Sequence, residues 1–270
     1  MSKSKAALLR ADQAMGLTTM PKVSPLPQPL PQPLPQSLRP DQHAPTTATR
    51  GGSLSLPNTL PANQQLCAHT SIVQRHAALE ALHQRHDREC AHCTTATGHS
   101  QTVFGEGSPV SRIMFIGEAP GETEDQIGRP FVGRSGEKLI GMINAMGLQR
   151  EDVYIANVLK SHPLANKTPL QGAIDACGPY LIEQILLIRP EVLVTLGGPA
   201  TKLLLGTDVG ITQLRGIWAS WTPPEGHGNP IPVMPTFHPA YLLRNYTEKT
   251  RGEVWSDLQA VMKHLGMPPK

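Results

Sequence analysis

Four short apolar runs stand far apart in the chain: "RIMFIG" from Arg112, "VYIANV" from Val153, "EVLVTLG" from Glu191 and "IPVMPTF" from Ile231. Runs of this length, rich in Val, Ile and Leu, read as strands buried on both faces. Between them the apolar positions change to helical spacing, in "SGEKLIGMINAMG", "QGAIDACGPYLIEQILLI" and "GPATKLLLG". Strands that alternate with helices at such distances require crossover connections, and hence a parallel sheet covered on both faces. The expected fold class is α/β, a three-layer α/β/α sandwich around a four-stranded parallel sheet. Ligands bind such sheets beyond the carboxyl ends of the strands. That points to the loops beginning at Gly117, Asn157, Gly197 and His238.

Upstream, Ile72, Val73, His76, Leu79, Leu82 and His83 recur at helical intervals as far as Cys90, so order is expected to begin near Thr70. Before that the text is different. Residues 25 to 36 repeat Pro-Leu-Pro-Gln, and many of the 27 prolines crowd into the first 63 residues. Such a segment favours polyproline II and buries too little apolar surface to offset its ordering entropy. The expected organisation is a disordered Pro/Gln-rich tail over 1–66 and a folded domain over 67–270. The tail is read as a solvated linker, with an SH3-like partner as the sharper alternative. A net charge of +3 does not demand a polyanionic partner. The chain has no apolar run of eighteen or more and no secretory signal pattern, so a cytoplasmic monomer without membrane contact is expected.

The loop after the first strand, "GEAPGETEDQIGRPFVGRSGEKL" from Gly117, concentrates carboxylates and glycines. Glu118 follows the strand directly, and Ala119-Pro120-Gly121 makes a tight turn. Acids in a loop are most often solvated turn chemistry, so the other loops must decide. Within the stretch, "GRPFVGRS" approaches the phosphate-loop pattern, but Arg134 stands where that pattern needs Lys and no strand immediately precedes it. No nucleotide cofactor is expected.

Taken together, "GEAPGETEDQIGRPFVGRSG", "IANVLK", "NKTP" and "PTFHPAYLLRN" resemble the family 4 uracil-DNA glycosylases, over about Cys90 to Leu265. The resemblance implies an enzyme that flips uracil out of DNA and hydrolyses its N-glycosidic bond, with uracil-containing DNA as partner. It implies Phe131 as the plate against which the flipped base lies, Asn157 as the reader of its edge, and Glu124 beside its C5 edge. Gly117 and Ala119 complete the binding loop. Asn157 suits the task, because an amide can pair with both O4 and N3–H of uracil whereas cytosine presents the opposite pattern. Cleavage develops positive charge on the sugar and negative charge on the base. Glu118 is the candidate for the sugar side and for orienting water, and His238 for donating to uracil O2. The best-known branch of the superfamily has its water-activating Asp where Ala119 stands, so Glu124 and Asp125 are rivals to Glu118. "HPAYLLRN" is expected to form a loop entering the minor groove, with Leu242 or Leu243 as wedge and Arg244 on a phosphate. Ser135 and Lys138, where the next helix begins, are candidates for a further phosphate. The alternatives are a uracil-DNA-binding relative without turnover and a phosphate-loop protein.

Cys90, Cys93 and Cys177 resemble three of the four ligands of the 4Fe-4S cluster in this family. At the position of the fourth stands Ser161, with His162 next to it. His162 or Cys67 could substitute. Zinc on Cys90, Cys93 and a histidine such as His86 or His99 is a second reading, and three buried thiols acting as small apolar side chains a third.

Overall fold

The computed structural model describes residues 71–95, 98–163, 171–224 and 228–268. The expected tail, Cys67 and "NKTP" at 166–169 lie outside the described residues.

Among the described residues the chain runs α1 (Ile72–Glu89), α2 (Ala91–Thr95), β1 (Glu106–Gly107), β2 (Ile113–Gly117), α3 (Glu122–Ile127) and α4 (Arg134–Ala145). It continues with β3 (Tyr154–Asn157), α5 (Gln171–Ile188), β4 (Val192–Leu196), α6 (Gly198–Leu205) and α7 (Ile211–Leu214). Last come β5 (Ala219–Trp221), β6 (Ile231–Thr236), α8 (Pro239–Arg244) and α9 (Glu248–His264). The four apolar runs are β2, β3, β4 and β6, and they form the parallel centre of the sheet.

The sheet itself has six strands and is mixed, in the order β1-β3-β2-β4-β6-β5. The four-stranded parallel expectation is therefore corrected at both edges, where β1 lies antiparallel to β3 and β5 antiparallel to β6. Those edge strands are two and three residues long, too short to carry a readable periodicity. Short edges also offer little unpaired backbone to another chain.

Alternation along the central strands divides the interior. Ile113 and Phe115 of β2 join Ile155 of β3 and Val192 and Val194 of β4 under α4 and α9. Met114 and Ile116 turn the other way, with Tyr154, Ala156 and Leu193, against α1, α5 and α6. One strand thus feeds two cores, which is why these runs are apolar at every position. In α1 the buried stripe is Leu79, Leu82 and His86, while Ile72 and Val73 in the first turn are exposed.

Candidate active site and metal centre

Parallel pairing places Gly117, the last residue of β2, opposite Asn157, the last residue of β3. Two further bonds, from Val158 N to Gly117 O and from Leu159 N to Glu118 O (both 3.0 Å), carry the ladder past the strand ends. Glu118 therefore leaves the sheet with its backbone pinned. Asn157 is only 1% exposed, and its Oδ1 has no hydrogen-bond partner among the described residues. A Cβ on Gly117 would stand 2.4 Å from that oxygen and 2.5 Å from Cζ of Phe131. Glycine at this point is what allows the amide and the ring to approach the same backbone.

Phe131 holds the left-handed conformation, φ 52°, which costs a residue with a side chain about 1–3 kcal/mol. Several groups hold it there. The buried carboxylate of Glu124 accepts from Val132 N (2.9 Å), Gly133 N (2.8 Å) and Gly121 N (3.2 Å), closing the loop on itself. Arg150 donates to Phe131 O at 3.0 Å and to Pro130 O. Gly136 packs beneath, where a Cβ would fall 2.0 Å from the Phe131 carbonyl oxygen. Arg150 is in turn held by Glu106, which also binds Arg129. Burial would raise the Glu106 carboxyl, but hydrogen bonds and charge from Arg129 and Arg150 outweigh it and hold the group at about 2.

The rival carboxylates differ in their commitments. Glu124 spends its oxygens on the loop backbone, and Asp125 accepts from Ser100 N at 2.9 Å. Glu118 is half-buried, and burial raises its pKa.

His238 caps the start of α8, its Nδ1 accepting from Ala240 N at 3.1 Å. Burial and the nearby Arg244 push it down to about 4, against the opposing charge of Glu124. Near neutral pH the ring is uncharged, and with Nδ1 used as an acceptor its proton sits on Nε2. The ring lies 5.7 Å from that of Phe131, centroid to centroid. Behind it Gly197, at φ 88°, would bring a Cβ to 3.1 Å from His238 Cβ. The structure thus brings Gly117, Phe131 and Asn157 into contact, sets His238 beside Phe131, and starts the Glu118 loop at the same spot.

"HPAYLLRN" is the helix α8 and not the loop expected. Leu242 is buried in the core, whereas Leu243 is half-buried and Arg244 exposed. Ser135 is half-buried in the first turn of α4, and Lys138 Nζ lies 4.3 Å over the ring of Tyr246. Ala119 packs against the core beneath α1, α5 and α6.

On that same side of the sheet, Cys177 Sγ stands 3.6 Å from Cys90 Sγ and 3.5 Å from Cys93 Sγ. A ring nitrogen of His86 joins them, all four ligand atoms lying within 4.8 Å of one another. This buried donor set could hold a metal ion. His162 turns away and donates from Nδ1 to Pro120 O at 2.9 Å, and Ser161 Oγ lies 3.5 Å from Cys93 Sγ. Burial disfavours the charged form of His86, yet the neighbouring Cys90 and Cys93 sulfurs raise its pKa to about 9. Between this cluster and the strand end sits Lys160, fully buried, donating to Asn157 O (2.8 Å) and Gln184 Oε1 (2.6 Å). Burial pushes its ammonium down to about 7 against the pull of the cysteine sulfurs.

Sequence reasoning missed Arg150, Glu106 and Lys160. Lys160 lies inside the quoted "IANVLK", but lysine is so seldom fully buried that its type argued for the surface. Arg150 and Glu106 carried no local signal at all.

A family model described as the uracil DNA glycosylase superfamily matches residues 104–259, more than half of the chain. A type-4 uracil-DNA glycosylase of Thermotoga maritima is 42% identical over 173 residues, spanning 64% of this chain and 87% of that protein. The same-named proteins of Sulfurisphaera tokodaii and Saccharolobus solfataricus are 41% and 40% identical, over 82% and 84% of their own lengths. With strand-end Asn, left-handed Phe and helix-capping His gathered at the carboxyl ends of the sheet's parallel strands, these matches place the chain in the uracil-DNA glycosylase superfamily, among the type-4 enzymes.

Proposed function

We propose that the protein removes uracil from DNA by hydrolysing its N-glycosidic bond, leaving an abasic site. The single observation that carries this reading is the Asn157 amide, buried beside the Phe131 ring with an oxygen that has no partner among the described residues. Buried acceptors are almost always satisfied, and the N3–H of a flipped uracil would supply the donor while the amide NH₂ binds O4. Phe131 would stack on the base. Glu124, locked by three backbone N–H groups, would stand rigidly at the C5 edge against a thymine methyl group.

The chemistry follows from the two titratable groups. As the glycosidic bond lengthens, negative charge grows on uracil O2, and the Nε2–H of neutral His238 donates to it. Glu118, ionised, would favour the cationic sugar and orient water toward C1′. No proton need reach the base before the bond breaks. Leu243 and Arg244 are the residues we assign to groove and phosphate contact, with Ser135 on a second phosphate. The 4Fe-4S cluster implied by the resemblance would have only three of its cysteines, and no step above depends on it. No helix among the described residues is long and apolar enough to cross a membrane.

A uracil-containing oligonucleotide incubated with the protein and then treated with alkali tests the reading. Strand breakage at the uracil is expected, and its loss in Asn157→Ala and Glu118→Ala. A shifted but unbroken oligonucleotide would instead mean a binding protein without turnover.

A further inference from the structure

We propose that His86 takes the place of the fourth cysteine, completing with Cys90, Cys93 and Cys177 a site for one tetrahedral divalent ion, zinc. The proposal concerns this cluster alone and does not rest on the glycosylase reading.

His86 is 0% exposed, yet its Nε2 has no partner among the described residues. Its other nitrogen is taken, because Nδ1 lies 3.0 Å from Asp87 Oδ1. That carboxylate is itself oriented by the Thr102 hydroxyl, which donates to it at 2.7 Å. A carboxylate on one imidazole nitrogen holds that N–H and raises the basicity of the other nitrogen, so that an ion displacing the Nε2 proton takes up its lone pair, the arrangement usual behind metal-bound histidine. The ring is also held in place mechanically, edge-on to Tyr180 at 4.9 Å and tilted against Phe104 at 5.7 Å. Ser161 has none of this support. Its oxygen is a hydroxyl 3.5 Å from Cys93 Sγ, and a hydroxyl gives up its proton to a metal far less readily than a thiol.

Sulfur spacing favours one ion over a cluster. Ligands at about 2.3 Å from one tetrahedral zinc lie roughly 3.8 Å from each other. Here Cys177 Sγ stands 3.6 Å from Cys90 Sγ and 3.5 Å from Cys93 Sγ, and all four ligand atoms lie within 4.8 Å of one another. In a four-iron cluster each thiolate binds a different iron at a corner, which holds the sulfurs much farther apart. Three thiols and one imidazole are moreover a standard structural zinc set. Charge is consistent with this. Three thiolates on a divalent ion carry one net negative charge, and the buried ammonium of Lys160 lies within electrostatic reach of all three sulfurs. Each thiol would release its proton to solvent as the ion binds. The ion would tie α1, α2 and α5 into one unit, and Cys93 rests against Ser161, four residues beyond Asn157.

Cobalt(II), a spectroscopic stand-in for zinc, tests the assignment. The full chain, stripped with a chelator under reducing conditions, is titrated with cobalt and then with zinc. One cobalt per chain is expected, with the intense visible bands of tetrahedral coordination and sulfur-to-metal charge transfer, displaced by one equivalent of zinc. His86→Ala should weaken cobalt binding at least about 100-fold. His86→Cys should keep one-to-one binding with bands moved toward an all-sulfur site, and Ser161→Ala should leave the wild-type spectrum unchanged. If His86→Ala does not fold, the latter two variants still decide. Four irons and four sulfides per chain after anaerobic reconstitution would overturn the proposal. So would failure to bind cobalt, an unaltered His86→Ala or His86→Cys spectrum, or a spectrum lost in Ser161→Ala.

Discussion

The backbone N–H of Ala240 donates to Nδ1 of His238 at 3.1 Å, and this one bond assigns the proton of the neutral imidazole to Nε2. A positively charged ring would have to give up that bond, since both its nitrogens would be donors. The same bond that starts a helix therefore prepares a neutral hydrogen-bond donor, the one we propose to meet uracil O2.

Stability should follow His238 on acidification. Its folded value of about 4 lies below the ordinary 6.5, so between those values the unfolded chain binds a proton that the folded chain refuses. The contribution is intact above the unfolded value and is lost as pH falls through this window. Urea midpoints at neutral pH and at about pH 5 should differ less in His238→Asn than in the wild type. Equal differences would mean that another group sets the slope.

The acid limb of activity should belong to Glu118. Burial raises its carboxyl, so kcat/KM on a uracil oligonucleotide should fall on acidification at a pH above the usual carboxylate range. Glu118→Gln should remove the limb and lower the rate by about 10²–10⁴-fold. His238→Asn should lower the rate at every pH and leave the limb where it is.

Space at Gly117 is needed by two side chains at once. Gly117→Ala would bring its methyl to 2.4 Å from Asn157 Oδ1 and 2.5 Å from Phe131 Cζ, so one of them must move. We expect a loss of about 1–3 kcal/mol in stability from overpacking. Loss of uracil excision should be far larger than that destabilisation explains. Near-normal kcat/KM in a folded Gly117→Ala protein would show that the amide and ring do not act together.

Glu106 should act at a distance from the chemistry. Its carboxylate, held at about 2, orients Arg150, whose guanidinium holds the Phe131 and Pro130 carbonyls. Because the folded value is depressed, this stabilisation is present above about 4.5 and is lost as pH falls toward 2. Glu106→Gln should be less stable at neutral pH and should lose less on acidification through that range. It should also raise KM more than it lowers kcat, as Phe131 gains freedom before the base is bound.

What was legible in the sequence were the features set by short-range pattern. The runs at Arg112, Val153, Glu191 and Ile231 announced strands, because burial on both faces of a sheet demands apolar side chains at consecutive positions. Helices announced themselves by their change of period, and the strand ends then marked where Glu118, Asn157 and His238 would emerge. Position along the chain could not show the rest. The two edge strands pair too few residues to leave a pattern, and they exist only because a neighbouring strand supplies the hydrogen bonds. The left-handed turn at Phe131 depends on Arg150, nineteen residues away in the chain. Lys160 finds its acceptor Gln184 across the core, and His86 meets Cys177 only when α1 packs on α5. A chain's local sequence dictates the period of its apolar positions and so the kind of element they form. Which buried polar atom meets which partner is decided by closure of the fold, since the free energy of satisfying such a group is available only once its distant partner has been brought alongside.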